Sequence, residues 1–249
     1  MEREALLTRT FVELADTLVD EFDVIDLLTV LTDRCVELLG AAAAGLLVAD
    51  AEGRLRVTAA SSERTRLLEL FALQNEEGPC LDCYRTGQPV VNEDLAGGSR
   101  WPRFAPEALE AGFRSVHALP MRLRERVVGS LNLFMAGPGP LSEADVSVAQ
   151  GLADVATIAI LQSQAVRRAE ALADQLQHAL NSREAVEQAT GVVAQRAGIG
   201  LDEAVARLRR YARAHGAQMG AVARALLAGA LSPEALVHAS PLEEHGTWR

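Results

Sequence analysis

The stretch Gly45-Leu-Leu-Val-Ala-Asp-Ala-Glu-Gly-Arg-Leu-Arg-Val-Thr-Ala59 decides the fold class. An unbroken apolar run reads as a buried strand, Asp50–Gly53 supplies turn residues, and Leu55, Val57 and Ala59 alternate on the way back. That is the pattern of a β-hairpin. Two helices are predicted before it. Leu7, Phe11, Leu14 and Leu18 recur at helical spacing within 6–20, and Leu28, Leu31, Cys35 and Leu38 do so within 24–39, with Gly40 as the stop. After it, 63–74 reads as a short helix. Residues 75–112 carry Gly78, Pro79, Gly87, Pro89, Gly97, Gly98, Pro102 and Pro106. So long a connection is expected to hold short elements and to shape a site. Strands are predicted near 114–120 and 126–135, joined by the polar turn Arg122–Arg126. Helices and antiparallel strands in this order predict an α+β domain.

Beyond Pro140 only helix is predicted. Ser142 and Asp145 form a capping-type pair, and no proline interrupts the chain until well past Arg196. Ala165, Ala169, Leu172, Leu176, Ala179 and Arg183 fall at alternating steps of four and three, a partial coiled-coil seam. A parallel homodimer through this linker helix, 142–182, is the expectation; the alternative is that the same face packs on its own N-terminal domain. Gly198-Ile-Gly200 should end the helix, and two more helices are predicted over 202–215 and 218–230, leaving 231–249 as a tail.

Charge separates the two halves. The chain of 249 residues has a formal net charge of −10, and all of its basic residues are Arg. Residues 181–230 hold seven Arg against four acids, a balance of +3 on an acidic carrier. Such a chain is not a nonspecific nucleic-acid binder as a whole, and no specific DNA binding is expected. Guanidinium forks suit phosphate and stacking on bases. Three cysteines, Cys35, Cys80 and Cys83, do not make a disulfide framework and fit a reducing compartment. No signal-peptide pattern opens the chain, and no apolar run approaches the roughly 18 residues of a membrane span, so a cytoplasmic protein is expected.

Cys80-Leu-Asp-Cys83 is a CxxC. Two thiols at this spacing can chelate metal or form a redox disulfide, yet no second CxxC or His pair completes a zinc site, and packed structural cysteines remain the plainer reading. His117 is either a packed strand histidine or a ligand to a cofactor metal; Trp101 is a core anchor or a pocket wall. No catalytic triad, P-loop or certain cofactor motif is present, so no enzyme activity is expected.

Two resemblances complete the reading. Leu180-Asn-Ser-Arg-Glu-Ala-Val-Glu-Gln-Ala-Thr-Gly-Val-Val-Ala-Gln195 with Arg196, then Asp202-Glu-Ala204, Leu208-Arg-Arg-Tyr-Ala212 and Val222-Ala223, resembles an ANTAR domain over 175–230. Family members are bacterial RNA-binding antiterminators with a small three-helix domain. The resemblance implies binding of paired RNA hairpins in an mRNA leader, with Arg183, Gln188, Thr190, Arg196, Arg209, Arg210, Arg213 and Gln218 as candidate RNA contacts. The chain departs from the family at Thr190, where Lys is usual, and at Gly216 and Gln218, where Asn and a basic residue are common. An interaction module that has lost RNA binding is therefore the alternative.

Residues 10–165 resemble a GAF sensor domain of the kind that precedes ANTAR modules in actinobacterial regulators. Glu77-Gly-Pro-Cys-Leu-Asp82, Arg85-Thr-Gly-Gln-Pro-Val90, Arg100-Trp-Pro102, Leu119-Pro-Met-Arg122 and Gly129-Ser-Leu-Asn-Leu-Phe134 carry this resemblance. It implies an unidentified small-molecule ligand, with Cys80, Cys83, Trp101 and His117 as candidate pocket or redox residues. A thiol-based redox sensor is the alternative.

Overall fold

The computed structural model describes residues 2–17, 23–98 and 100–237. Leu18, expected to end the apolar stripe of the first helix, and 238–249 of the expected tail lie outside them. The chain divides into two compact units, 1–165 and 166–249.

In the first unit, α1 (Glu2–Thr17) and α2 (Val24–Leu39) lead into a hairpin of β1 (Ala43–Ala49) and β2 (Leu55–Ala60). Asp50 makes the turn that its sequence suggested: its carboxylate accepts the backbone N–H groups of Glu52 and Arg54. Next come α3 (Glu63–Gln74), α4 (Pro79–Thr86), β3 (Val90–Asn92), a 3₁₀ turn, α5 (Phe104–Glu110), β4 (Ser115–Leu123) and β5 (Arg126–Met135). The five strands form one antiparallel sheet in the order β2-β1-β5-β4-β3. Strand β3 and helices α4 and α5 resolve the punctuated crossover into short elements.

Strand alternation sends successive side chains to opposite faces, and both faces are covered. Leu46, Leu119, Met121, Leu131 and Leu133 pack with α1, α2 and α6 (Glu143–Ala197) through Leu28, Leu31, Cys35, Leu152 and Ala156. On the other face Leu47, Val116, Ala118 and Phe134 pack with α3, α4 and α5 through Leu68, Ala72, Cys80, Cys83 and Phe104. Ser142 caps α6, its hydroxyl accepting the Asp145 N–H at 3.1 Å.

Helix α6 corrects one expectation. It contains an 18-residue window with a mean hydropathy of 1.4, long and apolar enough to cross a membrane. Its apolarity has another use: Ala149, Leu152, Ala153, Ala156, Ala159 and Ile160 are buried among the residues on the first face of the sheet. That part of α6 packs in the core of the first unit, and 39% of the apolar window is buried.

In the second unit, the C-terminal part of α6, α7 (Leu201–Ala214), α8 (Met219–Leu227) and α9 (Pro233–Val237) share a small core of Ala185, Ala189, Val193, Ala204, Leu208, Val222, Ala223 and Leu226. Gly198, at φ +66°, provides the left-handed residue that ends α6. Helix α9 lies within the expected tail, and Leu236 is fully buried in that core.

Candidate functional site

The candidate RNA contacts lie on the outside of the second unit, with one exception. Arg196, in the last turn of α6, and Arg209 and Arg213, one turn apart on α7, are exposed; Arg210 is half-buried. Gln218 is exposed at the extended residue that opens α8. Arg183 is exposed and paired with Glu187 at 2.8 Å, which raises its pKa through that hydrogen bond. Gln188 is exposed and donates to Glu184 at 3.3 Å. Thr190 is the exception. It is 4% exposed, and its hydroxyl donates to the Val186 carbonyl at 2.6 Å, one turn back. A small hydroxyl can satisfy itself inside the helix interface and presents nothing to solvent.

These residues do not share one face. At 100° per residue, Arg183 and Arg196 point about 140° apart around α6. Among the described residues, Arg196, Arg209, Arg210 and Arg213 are the candidate arginines with no acidic partner; Arg196 lies in the last turn of α6 and the other three on α7. Arg207, outside the candidate set, is held by Glu203 at 3.0 Å.

In the first unit the four candidate residues are split by the sheet. Cys80 and Cys83, one turn apart on α4, and Trp101 belong to the core on the α3–α5 face. His117 lies in β4 between Val116 and Ala118, which face that core, and in phase with Leu119 and Met121, which face the other. It is therefore on the opposite side. Burial lowers its pKa, partly offset by the Gly139 backbone and the Glu93 charge, and neither ring nitrogen makes a well-formed hydrogen bond. Trp101 is 3% exposed; its indole N–H donates to Asp82 at 2.8 Å, and Phe104 meets it edge-on. Asp82 also pairs with Arg100, whose guanidinium sits 4.9 Å from the Trp101 ring centroid. Asp82 thus ties α4 to the following loop, and Trp101 anchors that tie.

Both thiols of the CxxC are fully buried and unpaired as a disulfide. Burial pushes Cys83 up to about 11 and Cys80 well above the usual thiol range, with the Glu69 charge as a second cause for Cys80. A thiol so protonated is a poor nucleophile and a poor metal ligand. Among the described residues no group of His, Cys, Asp and Glu could hold a metal ion.

What sequence reasoning missed is the polar network beside these thiols. Ser130 donates to Asn132 at 2.9 Å, and Asn132 donates to Glu69 at 2.6 Å. All three are fully buried. Burial raises the Glu69 pKa to about 7, against the lowering effect of Asn132. Gly45, opposite Asn132 in the sheet, leaves the space: a Cβ there would stand 2.8 Å from the Glu69 carboxylate. The available signal was polar Ser130 and Asn132 alternating with Leu131 and Leu133 in a strand covered on both faces. Glu77, from the Glu77–Asp82 motif, was also passed over; it accepts the N–H groups of Arg103 and Phe104 and so caps α5.

Comparison with known proteins agrees with this division. A family model described as GAF domain matches residues 23–161, and one described as ANTAR domain matches residues 174–227. No curated protein matches the chain. Among solved structures, the GAF domain of a phosphoenolpyruvate-protein phosphotransferase from Coxiella burnetii aligns with a TM-score of 0.53 at 15% identity, over 65% of this chain and 96% of that one. The equivalent GAF domain from Acinetobacter aligns at 0.51 and 15%, over 68% and 98%. A free methionine-R-sulfoxide reductase from Neisseria meningitidis, in complex with its substrate, aligns at 0.51 and 18%, over 65% and 92%. At such identities these likenesses establish the fold alone. GAF domains are sensor domains and ANTAR domains are RNA-binding antiterminators; this chain belongs to the GAF family through its N-terminal unit and carries an ANTAR domain at its C-terminal end, the pairing of a GAF–ANTAR regulator.

Proposed function

We propose that this chain is a cytoplasmic, homodimeric regulator that binds a pair of RNA hairpins in a nascent mRNA leader, in response to a small molecule sensed by its GAF domain. Holding the hairpins would keep the transcript from folding into a terminator. The observation that carries the reading is the set of arginines the ANTAR unit exposes, Arg196, Arg209 and Arg213 with half-buried Arg210, on an otherwise acidic chain. Unpaired loop bases accept stacking and hydrogen bonds from guanidinium planes, and phosphates take the remaining forks.

Support for the dimer comes from α6. Residues 165–181 are exposed throughout, and Leu172 and Leu176 are 56% and 58% exposed. Leucines at heptad spacing with no cover of their own suit a second copy of the same helix. The chemistry proposed is binding and conformational change, with no covalent step; the buried, protonated thiols argue against a reductase or thiol-switch mechanism.

The test is titration of full-length protein with a two-hairpin RNA library at several salt concentrations, alongside crosslinking in the native cell and sequencing of bound transcripts. The expected result is binding that weakens steeply with salt and enrichment of mRNA leaders with adjacent hairpins. No binding at low salt would overturn the reading.

A further inference from the structure

Helix α7 ends on an aromatic pair that none of the candidate contacts includes. The rings of Tyr211 and His215 stack with centroids 4.0 Å apart and planes 23° from parallel. Tyr211 is half-buried against the core of the ANTAR unit, and His215 is exposed. The imidazole is pinned rather than mobile. Its Nδ1 lies 2.9 Å from the Tyr211 carbonyl oxygen, which also accepts the His215 backbone N–H at 3.1 Å. A carbonyl only accepts, so Nδ1 carries the proton and donates. Nε2 makes no hydrogen bond among the described residues. One ring face is thus packed on tyrosine, and the ring stands at the exposed end of the helix.

Two features of the surroundings indicate what such a surface would hold. Arg210 immediately precedes Tyr211 on α7, Arg213 lies about 160° around the helix from both rings, and Gln218 follows across the turn at Gly216. The segment carrying them is the +3 part of a −10 chain. An unpaired nucleobase stacks on a fixed aromatic plane, and a basic segment attracts its phosphate.

We infer that the Tyr211–His215 stack is a platform for one unpaired base of the bound RNA, with His215 as the contacting ring and Tyr211 as its support. This rests on the RNA-binding reading above. Stacking is electrically neutral, so its signature differs from that of the arginines. Removing the platform lowers affinity by the same factor at every salt concentration. Removing a phosphate-contacting arginine flattens the dependence of log K on log salt by about one unit.

The experiment uses full-length protein and the tightest-binding member of a pool of two-hairpin RNAs with randomised loops, with 2-aminopurine placed at each loop position in turn. His215→Ala is expected to weaken binding roughly tenfold with an unchanged salt slope. It should also abolish the quenching of 2-aminopurine at one loop position. His215→Phe, which keeps the plane and drops the imidazole nitrogens, should retain both affinity and quenching. His215 lies past the last turn of α7, so both variants are expected to keep the native far-UV circular dichroism. RNA binding unchanged by His215→Ala overturns the platform while leaving the RNA reading intact. So does a His215→Phe variant as weak as His215→Ala, since that assigns the contact to the imidazole nitrogens. Failure of the wild-type protein to bind any RNA of the pool at low salt removes the RNA-binding reading and the platform with it.

Discussion

Glu69 puts a carboxyl in the fully buried interior, with Asn132 as its donor and the Cys80 thiol beside it. Burial raises its pKa from 4.5 to about 7. The folded state therefore holds this proton more tightly than the unfolded chain. Its contribution is fully present below the unfolded value of 4.5 and is lost as pH rises towards 7, where the folded protein must also ionise. The loss is about 3 kcal/mol over that window. Asp50, Asp94 and Asp145, held low mainly by hydrogen bonds, act in the opposite sense and only at lower pH. Urea unfolding of wild type and Glu69→Gln across pH 4 to 8 isolates the term. The wild type should lose stability relative to the variant as pH rises, and a difference independent of pH would refute a buried, protonated Glu69. The neighbouring thiols allow a second prediction. With Cys80 and Cys83 buried and protonated, the native protein should react with a thiol reagent at neutral pH far more slowly than the urea-unfolded chain. Prompt labelling of either residue in the native state would revive a redox role for the CxxC.

At the scale of elements, α8 docks on α6 through Gly220. A Cβ at this position would overlap the Ser182 hydroxyl and stand 3.0 Å from the Ser182 Cβ. Gly→Ala inside an exposed helix ordinarily stabilises, but here overpacking decides the sign. Gly220→Ala is expected to destabilise the ANTAR unit by about 1–3 kcal/mol, with partial recovery in the Gly220→Ala/Ser182→Ala double variant, measured by thermal unfolding. Recovery must be partial because the Cβ of residue 182 stays. Legibility in the sequence follows the same logic of local against distant causes. Helices α2 and α3 and the β1–β2 hairpin could be read because their caps, turn residues and apolar period are written locally. Strand β3 has three residues, and α9 has five; each exists because Val90 pairs with β4 or Leu236 fills the last gap in a core. The burial of Thr190 is not legible in the sequence, because a motif position does not reveal which side of a helix meets its neighbours. The Glu69–Asn132 bond joins residues 63 apart in the chain, and nothing local announces it.

For the whole molecule, the charges set a problem that the proposed dimer resolves. One ANTAR unit offers a balance of only +3 and sits on a chain of −10, so a single head meeting a single hairpin should bind weakly and release readily as salt rises. Two heads on a dimer convert the second encounter into an intramolecular one, which can multiply affinity by about 10² to 10⁴ without any new contact. Leu172 and Leu176, exposed on α6, are where that pairing would be made. The Leu172→Gln/Leu176→Gln variant should therefore be a monomer by sedimentation, and the wild type should sediment as the proposed dimer. Its affinity for a one-hairpin RNA should match that of the wild type, because the arginine surface lies elsewhere. Its affinity for a two-hairpin RNA should fall to that same one-hairpin value. The comparison separates two causes that a single titration confounds. Equal loss on both RNAs would mean that the substitutions damage the head itself. A monomeric variant that still prefers the two-hairpin RNA by the full wild-type factor would mean that one head spans both hairpins, and the dimer would then have no part in recognition.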